Sequence, residues 1–160
     1  MDISIVPMTT QQDMDGKGYA HWKSWQETYT GLIDSAYMEK LTLERCVEMA
    51  HRWPRNILVA KDGEQVVGFV GYGESETPHW GEVFAIYVLG DYHGLKIGYK
   101  LMNAAFEKLS GYNKIAVWVL KGNESAIRFY ERYGFRPDGA EKDITLGTPN
   151  TELRMVYTRQ

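Results

Sequence analysis

The chain has 160 residues, 44% of them apolar and 24% charged. That length and balance fit one globular domain spanning residues 1–160 and exclude a disordered, collagen-like or disulfide-stapled chain. Its 18 Lys and Arg against 21 Asp and Glu give a net charge of -3, without the basic excess of a non-specific nucleic-acid binder. No apolar run approaches the ~20 residues of a membrane span, and the start Met1-Asp2-Ile3-Ser4-Ile5-Val6 lacks the basic residues and long apolar segment expected of a signal peptide. A cytoplasmic protein with no nucleic-acid or membrane partner is the expectation.

In chain order, residues 3–8 alternate weakly and read as a strand. From Gln11 to Trp25, apolar and aromatic residues recur at helical spacing (Met14, Tyr19, Trp22, Trp25, then Tyr29), until Thr30-Gly31-Leu32 breaks the pattern. Asp34 or Ser35 caps a second predicted helix reaching about Ala50. The lone Cys46 lies in it and reads as a small core residue, not a nucleophile. Residues 57–60 and 66–72 flank the turn Asp62-Gly63 as a hairpin. Residues 83–88 are almost wholly apolar, which predicts a strand covered on both faces.

A glycine-bearing turn, Gly90 to Gly98, leads into an amphipathic helix with Ile97, Leu101, Ala105 and Leu109 on one side. Residues 115–120 are another strand. Asn123 caps a short helix with Glu124 in its first turn, and Gly134 fits its end. Residues 135–144 and 152–158 read as two final strands. This order predicts an α/β domain with a mixed central sheet.

The strand–turn–helix from Glu82 to Gly98 is the chemically suggestive segment. Glycines let the backbone approach a ligand and aim its N–H groups at one point, and the helix start adds partial positive charge. Such a site suits a phosphate or pyrophosphate. A plain packing turn is the other reading of this segment alone. The spacing is neither that of a P-loop nor that of a dinucleotide fingerprint. His21, His51, His79 and His93 lack paired spacing, so no metal site is expected.

The turn is followed by Asn123-Glu124-Ser125-Ala126-Ile127-Arg128-Phe129-Tyr130-Glu131-Arg132-Tyr133-Gly134-Phe135. The two motifs in this order resemble the GCN5-related N-acetyltransferase (GNAT) family over nearly the whole chain. Asn123, Ala126, Phe129, Tyr130, Gly134 and Phe135 match one family pattern. His93 to Gly98 falls on the pyrophosphate loop Gln/Arg-x-x-Gly-x-Gly/Ala. The loop departs from it twice, with His93 in place of Gln or Arg and Lys96 in place of the first glycine. A side chain at Lys96 must tolerate the glycine's backbone conformation.

The resemblance implies a mostly antiparallel sheet that splays between its two central strands, residues 83–88 and 115–120. The pantetheine arm of acetyl-CoA would lie in that gap against the main chain of Ile86, Tyr87 and Val88, with the N–H near Val88 polarising the thioester carbonyl. The loop His93, Gly94, Leu95, Lys96, Ile97 and Gly98 would hold the pyrophosphate. Asn123, Ser125, Ala126 and Tyr130 would complete the cofactor contacts. Asn123 can cap its helix and serve the ligand together.

The implied reaction is direct attack of a primary amine on the thioester in a ternary complex, without an acyl-enzyme. Only about one part in a thousand of an aliphatic amine is neutral at pH 7, so a base must take its proton. Glu82 aligns with a glutamate that does so in some relatives; the alternative for it is a solvated strand-end charge. Tyr130 matches the tyrosine at the departing sulfur. Full proton transfer from a phenol to a thiolate is uphill by about 2 kcal/mol, so a hydrogen bond to the sulfur is the firmer expectation; the alternative is a packed aromatic. Trp25, Tyr29 and Tyr87 are the substrate-side candidates, an aromatic wall that suits a cation, although such a stripe also fits a core. The acceptor is a small cationic amine or a protein amine, and a homodimer is left open. The rival expectation, prompted by His93 and Lys96, is a non-catalytic acyl-CoA-binding module.

Overall fold

The computed structural model describes residues 2–160. Seven strands form one sheet: β1 Ile3–Pro7, β2 Ile57–Asp62, β3 Gln65–Glu74, β4 Gly81–Val88, β5 Lys114–Leu120, β6 Arg136–Leu146 and β7 Thr148–Thr158. Their order is β1-β2-β3-β4-β5-β7-β6, antiparallel except for the parallel β4–β5 contact. Among the described residues the α-helices are α1 Gln11–Tyr29, α2 Ser35–Lys40, α3 Leu43–Arg52, α4 Ile97–Lys108 and α5 Glu124–Tyr133, with a short 3-10 turn at Gly90–Tyr92. The expected α/β architecture with its mixed, mostly antiparallel sheet is present. Among the described residues, no helix is long and apolar enough to cross a membrane.

Local signals set most boundaries. The Thr10 hydroxyl accepts from the Asp13 N–H and starts α1, which runs four residues past Trp25 to Tyr29. Asp34 is the cap of α2, accepting from the Tyr37 N–H at 3.1 Å. The single helix expected from Asp34 or Ser35 to Ala50 is instead two. It breaks at Leu41-Thr42, where the Thr42 side chain caps α3 by accepting from the Arg45 N–H. A side-chain oxygen that competes for helical N–H groups favours a new start over an uninterrupted run. Cys46 is fully buried in α3. The last two strands are longer than expected, since the hairpin turns tightly at Gly147.

On one face α1 packs across β3, with His21 edge-on to Phe69 and the Lys17 ammonium 4.7 Å from the same ring. On the other, α4 and α5 cover the sheet through Leu101, Met102, Phe106 and Phe135, all in the main core. A smaller cluster of Ile33, Met38, Leu120 and Leu146 ties α2 to the β6–β7 tip.

Two irregularities shape the centre. β4 pairs with β5 only at Gly81↔Ile115 and Glu82↔Ala116, and the strands then part. Just beyond, the β3 partner skips from Ala85 to Val83 between Gly71 and Tyr72, so Phe84 is an extra residue on β4. A bulge of this kind bends the strand and disrupts its pairing. It also corrects one expectation. The outer half of β4 is not covered on both faces: Phe84 is 55% exposed and Ala85 to Val88 are only partly buried, because they border the gap left by β5.

Candidate active site

The parting of β4 and β5 opens a cleft of about 700 Å³. Its walls include Phe84 to Val88 of β4, Trp118 and Val119 of β5, and Tyr29 at the end of α1. The turn residues His93, Gly94, Lys96, Ile97 and Gly98 close one end, with Asn123, Ser125, Ala126, Phe129 and Tyr130 opposite. Nearly all the residues expected to bind a cofactor therefore line one space. Leu95 is the exception: its side chain is exposed and outside the cleft.

The turn is built for close approach. Gly94 has φ 81° and open space beside its Cα, so its backbone sits where a side chain is rarely tolerated. A Cβ at Gly98 would lie 3.3 Å from the Phe129 ring, so α4 and α5 pack closely there. Lys96 adopts φ 62° and ψ 21°, the left-handed conformation that glycine reaches most easily. A side chain costs about 1 kcal/mol or more in that region. The turn is pinned on its outer side: the Glu27 carboxylate accepts from the Gly90 N–H at 3.0 Å, and the Tyr92 hydroxyl donates to Asp62 at 3.0 Å.

Three phenols meet at the cleft floor. The hydroxyls of Tyr29 and Tyr87 are 2.8 Å apart. Tyr130 is 8% exposed, packed edge-on against Phe129 and Phe135. Burial, and then the neighbouring Tyr29, push its phenol well above the ordinary range, so it stays protonated and is available only as a donor. Burial likewise raises Tyr87 and Tyr29. Asn123 caps α5, its side-chain oxygen accepting from the Ala126 N–H at 3.3 Å, and it also lines the cleft. Trp25 stacks edge-on behind Tyr29 at 4.6 Å and does not line the cleft; it supports the wall that Tyr29 and Tyr87 present.

Glu82 stands at the base of the gap, where β4 and β5 still pair, and is 8% exposed. Burial raises its carboxyl above the ordinary carboxylate range, and Glu76 and Glu152 add to this as like charges. A Ser75 hydrogen bond and the Lys142 charge oppose it. A carboxylate of raised pKa is a better proton acceptor than a solvated one.

Sequence reasoning missed the residues around Glu82. Its partner across the sheet is Ala116, so Trp118 shares its face; Trp118 in turn pairs with Arg154, and Leu120 with Glu152. The Lys142 ammonium lies 4.2 Å from the Trp118 ring, and the Arg154 guanidinium spans Trp80 and Trp118 at 4.8 and 5.7 Å. Asp138 holds Arg154 through two contacts of 2.8 Å. Burial raises the Glu152 carboxyl, and its nearest cation, Lys142, is 3.9 Å away. Period-two alternation in 114–120 and 148–158 was the available signal, but it does not reveal which strands are neighbours.

The residues present fit the acyl-CoA expected here. The edge of β4 facing the gap has no strand partner past Glu82, and the turn beside it presents backbone N–H groups.

Comparison with known proteins agrees. The model of the acetyltransferase (GNAT) family matches residues 18–135. An N-acetyltransferase of Archaeoglobus fulgidus is 33% identical over 118 residues, 69% of this chain and 80% of that protein. The N-alpha-acetyltransferase 30 of Schizosaccharomyces pombe is 31% identical over 90 residues, 53% of this chain and 60% of that protein. In three dimensions, a PaiA N-acetyltransferase of Thermoplasma acidophilum, solved with coenzyme A, superposes with a TM-score of 0.74 over 99% of both chains at 22% identity.

Proposed function

The chain belongs to the GNAT acetyltransferase family and is an acetyl-CoA-dependent N-acetyltransferase; from that premise we propose that its acceptor is the primary amine of a small cationic molecule, acetylated by direct attack within one domain, residues 1–160. The observation that carries this is the aromatic lining of the cleft by Tyr29, Tyr87 and Trp118 beside the expected cofactor contacts, with the Glu82 carboxyl buried at the base of the β4–β5 gap.

The proposed division of labour is as follows. The gap-facing main chain of Ile86 and Val88 takes the amides of the pantetheine arm, and the Val88 N–H polarises the thioester carbonyl. The turn from His93 to Gly98 takes the pyrophosphate. Glu82 accepts the amine proton, directly or through a water. The protonated Tyr130 donates a hydrogen bond to the sulfur as it leaves, a role its raised pKa favours over full proton transfer. Tyr29 and Tyr87 line the acceptor side with Trp25 behind them, and Glu152, paired with Lys142, adds a second carboxylate nearby.

A small acceptor is favoured over a peptide by the roof of the site. A Cβ on Gly147 would lie 2.6 Å from an Asp34 carboxylate oxygen and 3.0 Å from the Tyr37 Cβ. The β6–β7 tip and α2 therefore touch, and Leu146 is buried with Ile33 and Met38. An extended chain would have to part them.

The test has two stages. Acetyl-CoA at 100 times its dissociation constant should stabilise the fold by about 2.7 kcal/mol, read as a rise of several degrees in Tm. Thiol release is then measured with small diamines, monoamines and N-terminal peptides. Turnover concentrated on small cationic amines supports the reading; turnover only on peptides overturns it.

A further inference from the structure

Leu89 donates its N–H to the Val67 carbonyl at 2.9 Å, while Val88 lies opposite Gly68. In an antiparallel ladder the two polar groups of a residue point to one side, and the side alternates along the strand. Tyr87 and Leu89 therefore bond toward β3, and Ile86 and Val88 turn their N–H and C=O groups into the gap. These four groups are what an added strand-like ligand would pair with.

One of them is already engaged. His93 Nε2 lies 2.8 Å from the Val88 carbonyl. A carbonyl only accepts, so Nε2 carries the hydrogen. The surrounding turn holds the ring in place: the His93 N–H donates to the Gly90 carbonyl, whose own N–H is bound by Glu27. The His93 side chain is exposed and lines the cleft, so it can leave without disturbing the core.

We propose that His93 is a built-in competitor of the cofactor: its imidazole occupies the Val88 carbonyl that the amide arm of acetyl-CoA needs, and must release it for the arm to bind. The inference rests on the pantetheine placement proposed above. His93 thereby lowers affinity for every acyl-CoA, and its release couples the end of β4 to the pyrophosphate turn. The departure from Gln or Arg at this position gives the turn a short, rigid donor that can reach back to its own strand.

The test uses S-acetylpantetheine, which lacks the pyrophosphate and nucleotide, so that a new contact between His93 and phosphate does not enter the measurement. His93→Ala and His93→Phe, both without the donor, should bind it about fivefold more tightly than the parent protein, the scale of one net hydrogen bond. Their ligand-free Tm values establish that they fold. In the parent protein, the Nε2–H resonance of His93 should shift on saturation with acetyl-CoA. Equal or weaker binding by both variants, or an Nε2 resonance unchanged at saturation, overturns the competition. If the parent protein binds acetyl-CoA but not S-acetylpantetheine, the arm placement falls as well.

Discussion

The two faces of the central sheet recognise in different ways. On the α4–α5 side, an apolar core fixes the backbone of β4 and the turn after it, and the proposed ligand contacts are main-chain groups. On the α1 side, Glu82, Trp118, Lys142, Glu152 and Arg154 form a lattice of charges and rings, and the proposed acceptor contacts are side chains. Backbone recognition needs only a fold and a few glycines, so it suits a cofactor common to a whole family. Side-chain recognition changes with each substitution, so it suits the acceptor.

The sharpest test of this contrast is on the side-chain face. Replacing Glu82 with Gln should lower kcat/KM by about a hundredfold or more. The pH profile gives the independent sign. Glu82 must be ionised to take a proton, and burial raises its pKa, so activity should rise with pH through a value above the ordinary carboxylate range. The Gln variant should lose that limb; an unchanged profile would assign the base elsewhere.

Tyr130 lies where the two faces meet. Tyr130→Phe keeps the packing against Phe129 and Phe135 and removes one donor, so kcat should fall about tenfold with little change in the KM for acetyl-CoA. Glu152→Gln should separate the faces: the KM for a cationic amine rises about fivefold while that for acetyl-CoA stays level. Parallel rises in both constants would mean the faces are not independent. The smallest effect is expected on the backbone side. Lys96→Gly relieves the left-handed strain and should raise Tm by about 2–4 °C, against the entropy glycine adds to the unfolded chain.

The same contrast explains what could be read from the sequence. The cofactor side is written in short local signals: the glycines of the turn, the Asn123 cap, and the helical spacing of Ala126, Phe129 and Tyr130. Local signals survive without knowledge of the fold. The proposed acceptor side is assembled by register, since Trp118, Lys142 and Arg154 lie on three strands and meet only because β5, β7 and β6 are neighbours in that order. The break at Thr42 was missed for a related reason, as a capping hydroxyl inside an amphipathic run leaves the periodicity almost intact.

The extra residue at Phe84 has a consequence of parity. Glu82 and Tyr87 are five positions apart, an odd interval that in an even strand sends two side chains to opposite faces. The bulge between them adds one step and returns both to the α1 face. The strand is thus read in two frames, one carrying the carboxylate and the other the phenol and the gap-facing peptides. Deleting Phe84 would leave every one of those groups in the chain and turn the Glu82 carboxylate away from the face of the Tyr87 ring.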